Sequence, residues 1–273
     1  MVPITQLNRC YSMEAHHGHD FYDQQGVLGK YVRYRTWKRC PNEVIEKPII
    51  LSLLGSELTG SVLDLGCGYG AWANELLARG ASTYTGIDSS RKMLGFGKAL
   101  VKEERAEFIE ADINQWEYPA AGYDLALACS VLHYIANLDE LLAKIRESLK
   151  QDGALIISVD NPIVSSFRTS QNRFSRGFER SHYFNQGAKI QEWMGEKVIR
   201  YHRTLEEYWR AITEAGFRVE CIKEGLLLED ENESEEEENP IRTNFSEPNP
   251  NPFEKYIVST IIPPFLIIKA IKI

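Results

Sequence analysis

Residues 61–70 read Ser-Val-Leu-Asp-Leu-Gly-Cys-Gly-Tyr-Gly, a short apolar run that collapses into alternating glycines. A strand running into a tight turn has this form. Gly66, Gly68 and Gly70 supply backbone freedom where the chain reverses, and the missing side chains let a ligand lie against the main chain. Residues 71–79 then read as a helix whose N-terminus presents free N–H groups to that ligand, a setting that favours a carboxylate. The spacing is G-x-G-x-G preceded by Asp64, whereas a dinucleotide fingerprint is G-x-G-x-x-G, built to seat a pyrophosphate. The difference argues against a nicotinamide dinucleotide.

Asp64-Leu65-Gly66-Cys67-Gly68-Tyr69-Gly70 resembles motif I of the class I methyltransferases that use S-adenosylmethionine. The resemblance implies a Rossmann-like α/β fold: a doubly wound, seven-stranded, mostly parallel sheet with an antiparallel last strand. It also implies S-adenosyl-L-methionine as cofactor, S-adenosyl-L-homocysteine as product, and Asp64, Gly66, Cys67, Gly68 and Gly70 at the cofactor site.

The text on either side agrees. Strand-like and helix-like stretches alternate as Val62 to Leu65, Ala71 to Arg79, Thr83 to Ile87 and Ser90 to Glu103, the βαβ grammar of a parallel sheet. Strands at Glu107 to Glu110 and Tyr123 to Ala128, a helix at Leu138 to Lys150 and a strand at Ala154 to Val159 after a turn at Gly153 continue it. Leu125, Leu127, Ile156 and Ile157 sit in nearly continuous apolar runs, as expected of strands covered on both faces. Leu205 to Ala215 reads as an amphipathic helix stopped by Gly216, and Phe217 to Glu224 as a strand. Phe265 to Ile271 reads as a buried last strand, pairing with its predecessor as a hairpin on the sheet edge.

Three segments lie outside that grammar. Residues 1–60 are expected to form an N-terminal helical lid, with Asn42 to Gly55 a helix interrupted or restarted at Pro48 and packed on the sheet edge. Residues 61–273 form the main domain, which carries a cap insertion at 160–204 and a flexible acidic loop at 229–260. The cap starts as a loop and holds eight Lys or Arg against four acidic residues over 160–203. That balance, with the aromatic stretches His182-Tyr183-Phe184 and Ile190 to Trp193, points to an aromatic or anionic small-molecule acceptor.

Composition narrows the function classes. The chain has 273 residues, 43% of them hydrophobic, enough for a substantial core. Its net charge of −8 is concentrated in Glu229 to Glu238, where eight acidic residues stand without a basic one, leaving 31 charges of each sign elsewhere. A nucleic-acid surface would need a clustered excess of Lys and Arg, so no nucleic acid is expected as partner. Five scattered cysteines without metal-ligand spacing indicate reduced thiols in a cytoplasmic setting. No apolar run long enough to span a membrane is present. His16, His17 and His19 are close together, but no strict i, i+4 pair occurs and no metal is assigned. A homo-oligomer is compatible with all of this.

The candidate site residues follow the strand ends. Asp88 ends the second strand, where a carboxylate can accept both hydroxyls of a ribose, and Ser89 follows it. By the resemblance, Asp112 meets the adenine amino group and Ile113 lines the ring, while Met93 covers the other face of the base. The backbone around Ser130 is expected to border the methionine part, and the resemblance further implies an N-terminal lid that closes over the cofactor, with Tyr22, in Phe21-Tyr22-Asp23, in it. His133, just beyond the fourth strand, is a candidate general base, with His202 and Tyr183 as comparable candidates. Should the acceptor be an alkene, Tyr22, Trp37, Phe184 and Trp193 could stabilise a carbocation.

The expected function is methyl transfer from S-adenosylmethionine to O, N or C of a small molecule of specialised, natural-product metabolism. Two alternatives stand beside it: an S-adenosylmethionine-binding protein without methyl transfer, regulatory or cyclase-like, and a nucleic-acid methyltransferase.

Overall fold

The computed structural model describes residues 15–167, 182–225 and 262–273. The expected acidic loop, residues 168–181 of the expected cap and the first 14 residues lie outside them. In chain order, α1 (Gly18–Phe21) and α2 (Val27–Arg35) lead through a π turn (Asn42–Glu46) into α3 (Lys47–Leu54). Then come β1 (Ser61–Leu65), α4 (Ala73–Ala78), β2 (Thr83–Asp88), α5 (Arg91–Leu100), β3 (Ala106–Glu110) and β4 (Tyr123–Cys129). A 3-10 turn (Leu132–Tyr134), α6 (Leu138–Ser148), β5 (Leu149–Asp160) and α7 (Pro162–Phe167) follow. β6 (Gly187–Trp193), β7 (Glu196–His202), α8 (Leu205–Glu214), β8 (Phe217–Glu224) and β9 (Phe265–Lys272) complete the described chain.

The sheet order is β3-β2-β1-β4-β5-β9-β8. The first five strands are parallel, and β9 runs antiparallel to both β5 and β8. This is the expected seven-stranded, mostly parallel sheet with an antiparallel last strand. The last two strands pair as the expected hairpin on the sheet edge, with β9 inside, between β5 and β8, and β8 outermost. The β9 run Phe265-Leu266-Ile267-Ile268 is apolar on both faces and at most 2% exposed, so it needs cover on both sides. β8 carries Arg218, Glu220 and Lys223, side chains that suit an edge.

Two expectations shift. Ile45 and Ile50 pack with Leu127, Ile156 and Ile267, so α3 covers a face of the sheet and not its edge. The helix restarts at Pro48, as expected: the π turn ends at Glu46 and Pro48 sits in the first turn of α3, where no amide donor is needed. The cap begins with α7 instead of a loop: the Asn161 side chain accepts the Ile163 amide at 3.0 Å and Pro162 opens the helix. Farther on, β6 and β7 pair as a hairpin through Met194 and Gly195, both with positive φ (51° and 82°), a type I′ turn.

The C-terminal ends of β1 and β2 are tied together beneath the glycine turn. Asp64, 1% exposed, accepts the Tyr84 hydroxyl at 2.6 Å. Burial pushes the Asp64 carboxyl up to about 7, against the pull of the Tyr84 hydrogen bond and with a further push from Asp88. An acid raised in the folded state contributes stability that is fully present below its unfolded pKa and is lost as pH rises through its folded one. Asp64→Asn keeps an acceptor oxygen for Tyr84 and removes the charge. Its stability relative to wild type is predicted to rise by about 1–3 kcal/mol between roughly pH 5 and pH 8, read from urea unfolding. A gap that does not change with pH contradicts this account of the pair.

Candidate functional site

A cavity of about 350 Å³ opens where the parallel strands end. Its floor is made by the segments that follow β1 (Gly66, Gly68), β2 (Asp88, Ser89), β3 (Ala111 to Asn114) and β4 (Cys129 to Val131). Gly66 and Gly68 hold φ of 66° and 57°, the region that favours glycine. A Cβ on Gly66 would come within 2.4 Å of the Val131 side chain, whereas one on Gly68 would meet only open space. The turn thus presents bare main chain to the cavity.

Asp88 holds this turn in place. One of its oxygens accepts the Gly68 amide and the other the Ser90 amide, each at 2.8 Å. A carboxylate has about four acceptor positions, so both oxygens keep capacity for a ligand. Burial raises its pKa, and the Ser90 and Gly68 amides pull it back. Ser90 caps α5 by accepting the Met93 amide at 3.1 Å, which frees Asp88 from that duty. Asp112 accepts both the amide and the side-chain nitrogen of Asn114 on a single oxygen. Met93 and Ile113, 1% and 7% exposed, supply apolar wall beside these acids.

The roof comes from elsewhere in the chain. His17, Gly18, His19, Tyr22, Tyr31 and Tyr34 cover the cavity from the N-terminal segment, and Trp193, Arg200 and Tyr201 from the β6–β7 hairpin. These two pieces share an apolar cluster of Phe21, Val27, Tyr34, Met194 and Val198. His16 bridges β7, its amide donating to the Lys197 carbonyl and its carbonyl accepting the Ile199 amide, each at 2.9 Å. Asp23 joins the segment to the β2–α5 corner by accepting the Ser90 hydroxyl at 2.6 Å. Gly18 lies so close to Tyr134 that a Cβ there would be 2.5 Å from the Tyr134 Cβ and 2.7 Å from the ring's first carbon.

Between floor and roof runs a polar chain. Arg200, 6% exposed, donates to Asp160 at 3.1 Å and to the Tyr134 hydroxyl at 2.9 Å. The Tyr134 and Tyr22 hydroxyls are 3.2 Å apart. The guanidinium lies 5.0 Å from the Tyr134 ring and 5.2 Å from the Trp193 ring, held flat by two π faces. Burial alone would lower Arg200, but Tyr134, Asp160 and Tyr22 more than reverse that. Burial, then Tyr134 and Tyr31, push Tyr22 well above the usual phenol range.

Among the candidates from sequence, Tyr22, Gly66, Gly68, Asp88, Ser89, Met93, Asp112, Ile113, Ser130 and His133 line this one cavity. Asp64, Cys67 and Gly70 stand behind its wall: Asp64 on Tyr84, Cys67 against Gly86, and Gly70 against Phe108. His202 and Tyr183 are directed elsewhere. His202 donates from Nε2 to the Tyr183 carbonyl at 2.8 Å and accepts the Ser165 hydroxyl on Nδ1 at 2.6 Å. Both ring nitrogens are therefore spoken for, and burial brings the imidazole down to about 4, so it stays neutral and structural. The Tyr183 hydroxyl accepts the Leu205 amide at 3.0 Å. Trp37 packs in the roof cluster and Phe184 is 86% exposed, so of the four aromatics named for a carbocation only Tyr22 and Trp193 reach the cavity.

Sequence reasoning missed Arg200, Asp160 and Tyr134. The alternation of Lys197 to His202 marked a strand, and the partner strand it implies would have aimed alternate residues, Val198, Arg200 and His202, to one side. Among the described residues no group of three or more His, Cys, Asp or Glu could hold a metal ion, and no helix is long and apolar enough to cross a membrane.

Comparison with known proteins bears on this geometry. The family described as "Methyltransferase domain" matches residues 62–153. A Haemophilus influenzae protein of uncharacterised role is 29% identical over 220 residues, covering 76% of this chain and 87% of that one. A carboxy-S-adenosyl-L-methionine synthase of Wolinella succinogenes is 30% identical over 170 residues, covering 58% of this chain and 68% of that one. A crystal structure of a Listeria monocytogenes protein assigned as an S-adenosylmethionine dependent methyltransferase superposes with a TM-score of 0.62 at 26% identity, covering 84% of this chain and 96% of that one. With the glycine turn, the strand order and these relatives in agreement, the chain belongs to the class I S-adenosylmethionine-dependent methyltransferases and takes S-adenosylmethionine as its cofactor.

Proposed function

We propose that the cavity binds S-adenosylmethionine along its floor and a small-molecule acceptor under its roof, and that the protein transfers the methyl group between them. The observation that carries this reading is the convergence of Asp88, Asp112, Met93, Ile113 and the bare face of Gly68 on one cavity. Asp88 would accept the ribose hydroxyls with the capacity left on its two oxygens, and Asp112 would accept the adenine amino group. Met93 and Ile113 would enclose the base, with Ser89 at the ribose edge and Ser130 beside the methionine part. When bound, the sulfonium supplies a methyl group already activated for in-line attack.

The protein's own part is then positioning and exclusion of water, which can account for most of the rate. Tyr22 and the hairpin close the acceptor side. His133 lines the same cavity and is the imidazole placed to take a proton from a hydroxyl or amine acceptor. Relatives named for ubiquinone biosynthesis and for trans-aconitate support an acceptor of small size, and the aromatic roof suits an aromatic acceptor of specialised metabolism; the cytoplasmic setting is part of the proposal. Binding without methyl transfer is the competing reading, since one relative is named for a synthase acting on the cofactor itself. Methyl-labelled S-adenosylmethionine separates the two: label in a second small molecule supports transfer, and label that stays on the cofactor supports the competitor.

Calorimetry with S-adenosylhomocysteine tests the assignment residue by residue. Asp88→Ala is predicted to weaken binding by about 2–3 kcal/mol and Asp112→Ala by about 1 kcal/mol, the range for bonds to charged and to singly engaged acceptors. His202→Asn should leave the affinity within about twofold, since His202 does not reach the cavity. An unchanged affinity in Asp88→Ala would remove the ribose assignment.

A further inference from the structure

The hydrogens along the chain Arg200–Tyr134–Tyr22 can be counted. Arg200 has donors only, and one of them points at the Tyr134 oxygen. The contact between the Tyr134 and Tyr22 hydroxyls uses one of the pair's two protons. Whichever phenol donates in that contact, the other hydroxyl proton is left over, and both side chains line the cavity. Donation runs one way, from a cation through two phenols into the acceptor side of the cavity. The site asks its ligand for an acceptor.

The polar chain itself offers no base. Arg200 cannot serve as a base. Asp160 is committed to Arg200 in a pair whose side chains are both 7% exposed. Burial holds Tyr22 in its protonated, donating form. An amine or phenol acceptor must shed a proton during methylation, which none of Arg200, Asp160 and Tyr22 can receive, so that duty would fall to His133. A carboxylate needs no base, because at neutral pH it is already ionised. It is acceptor-only, and its bonds from O–H donors are among the stronger ones.

We propose that the acceptor is a small carboxylic acid, held as its carboxylate on the Tyr22 and Tyr134 hydroxyls with Arg200 behind them, and methylated on oxygen. The inference rests on the methyl-transfer reading above and specifies its substrate class. In the step, a carboxylate oxygen forms the new O–CH₃ bond as the S–CH₃ bond breaks, and the bonding pair returns to sulfur. The products are a methyl ester and a neutral thioether, and no proton is released. The sulfonium charge and one carboxylate charge are neutralised together, a reaction that a water-poor cavity favours over open solution. The Arg200–Asp160 pair is neutral overall, so it orients the acid while the sulfonium provides most of the attraction. Tyr31, Tyr34 and Trp193 offer aromatic surface to the body of the acid.

The test uses the whole protein saturated with S-adenosylhomocysteine, titrated with malonate, trans-aconitate and benzoate and, in parallel, with their amides. At least one of the acids should bind about tenfold or more tightly than its amide, and Tyr134→Phe, which removes only the hydroxyl, should erase most of that preference. Arg200→Lys should weaken the same acid by a similar factor, since an ammonium cannot reproduce the flat fork. With methyl-labelled S-adenosylmethionine, the bound acid should yield label that mild alkali releases as methanol. Equal binding of acids and amides, no binding of any acid while S-adenosylhomocysteine binds, or label that resists alkali overturns the carboxylate assignment and leaves cofactor binding standing. Failure to bind S-adenosylhomocysteine would instead remove the reading on which it rests.

Discussion

The two amide-to-carboxylate hydrogen bonds from Gly68 and Ser90 to Asp88 are the constraint on which the site depends. They fasten the glycine turn after β1 to the end of β2 and to the first turn of α5. Neither loop alone would fix the separation between bare main chain and carboxylate that a nucleoside needs. Asp64 and Tyr84 brace the same two strands from below. The glycine motif therefore divides its labour: Gly66 and Gly68 face the cavity, while Asp64, Cys67 and Gly70 hold up its wall.

The acceptor side is built by a different rule. The N-terminal segment and the β6–β7 hairpin, separated by most of the sheet in sequence, share one apolar cluster and a two-bond bridge at His16. The Lys30 ammonium adds a bond to the Met194 carbonyl at the hairpin turn. Each piece is too small to bury its own apolar face, so each completes the other. Tyr134, which belongs to the main body, is where this roof meets the floor, because Gly18 packs against its ring and Tyr22 against its hydroxyl.

Much of this was legible in sequence because strands covered on both faces leave continuous apolar runs, and Leu125, Leu127, Ile156 and Ile157 marked them. Phe217 to Glu224 matches its strand end for end. β5 was cut short because its irregular stretch, with Asp152 at φ 61° and a register shift against β4, looks like a turn at Gly153. Which strand of the terminal hairpin lies outermost was not legible either, since that depends on which strand tolerates an edge. His202 and Arg200 show the same limit at the site. They lie two residues apart on one strand, yet Ser165 and Tyr183 claim the first while the second reaches the cavity. Those partners come from distant segments, and no local pattern reveals them.

The central claim is that one floor seats the adenosyl group and one roof faces the sulfur. A crystal structure with S-adenosylhomocysteine tests it most directly. The account predicts the ribose hydroxyls on Asp88, the adenine between Met93 and Ile113 with its amino group at Asp112, and the sulfur open toward Tyr22 and Tyr134. An adenosyl group bound away from Asp88, or a sulfur turned from the two tyrosines, would contradict it.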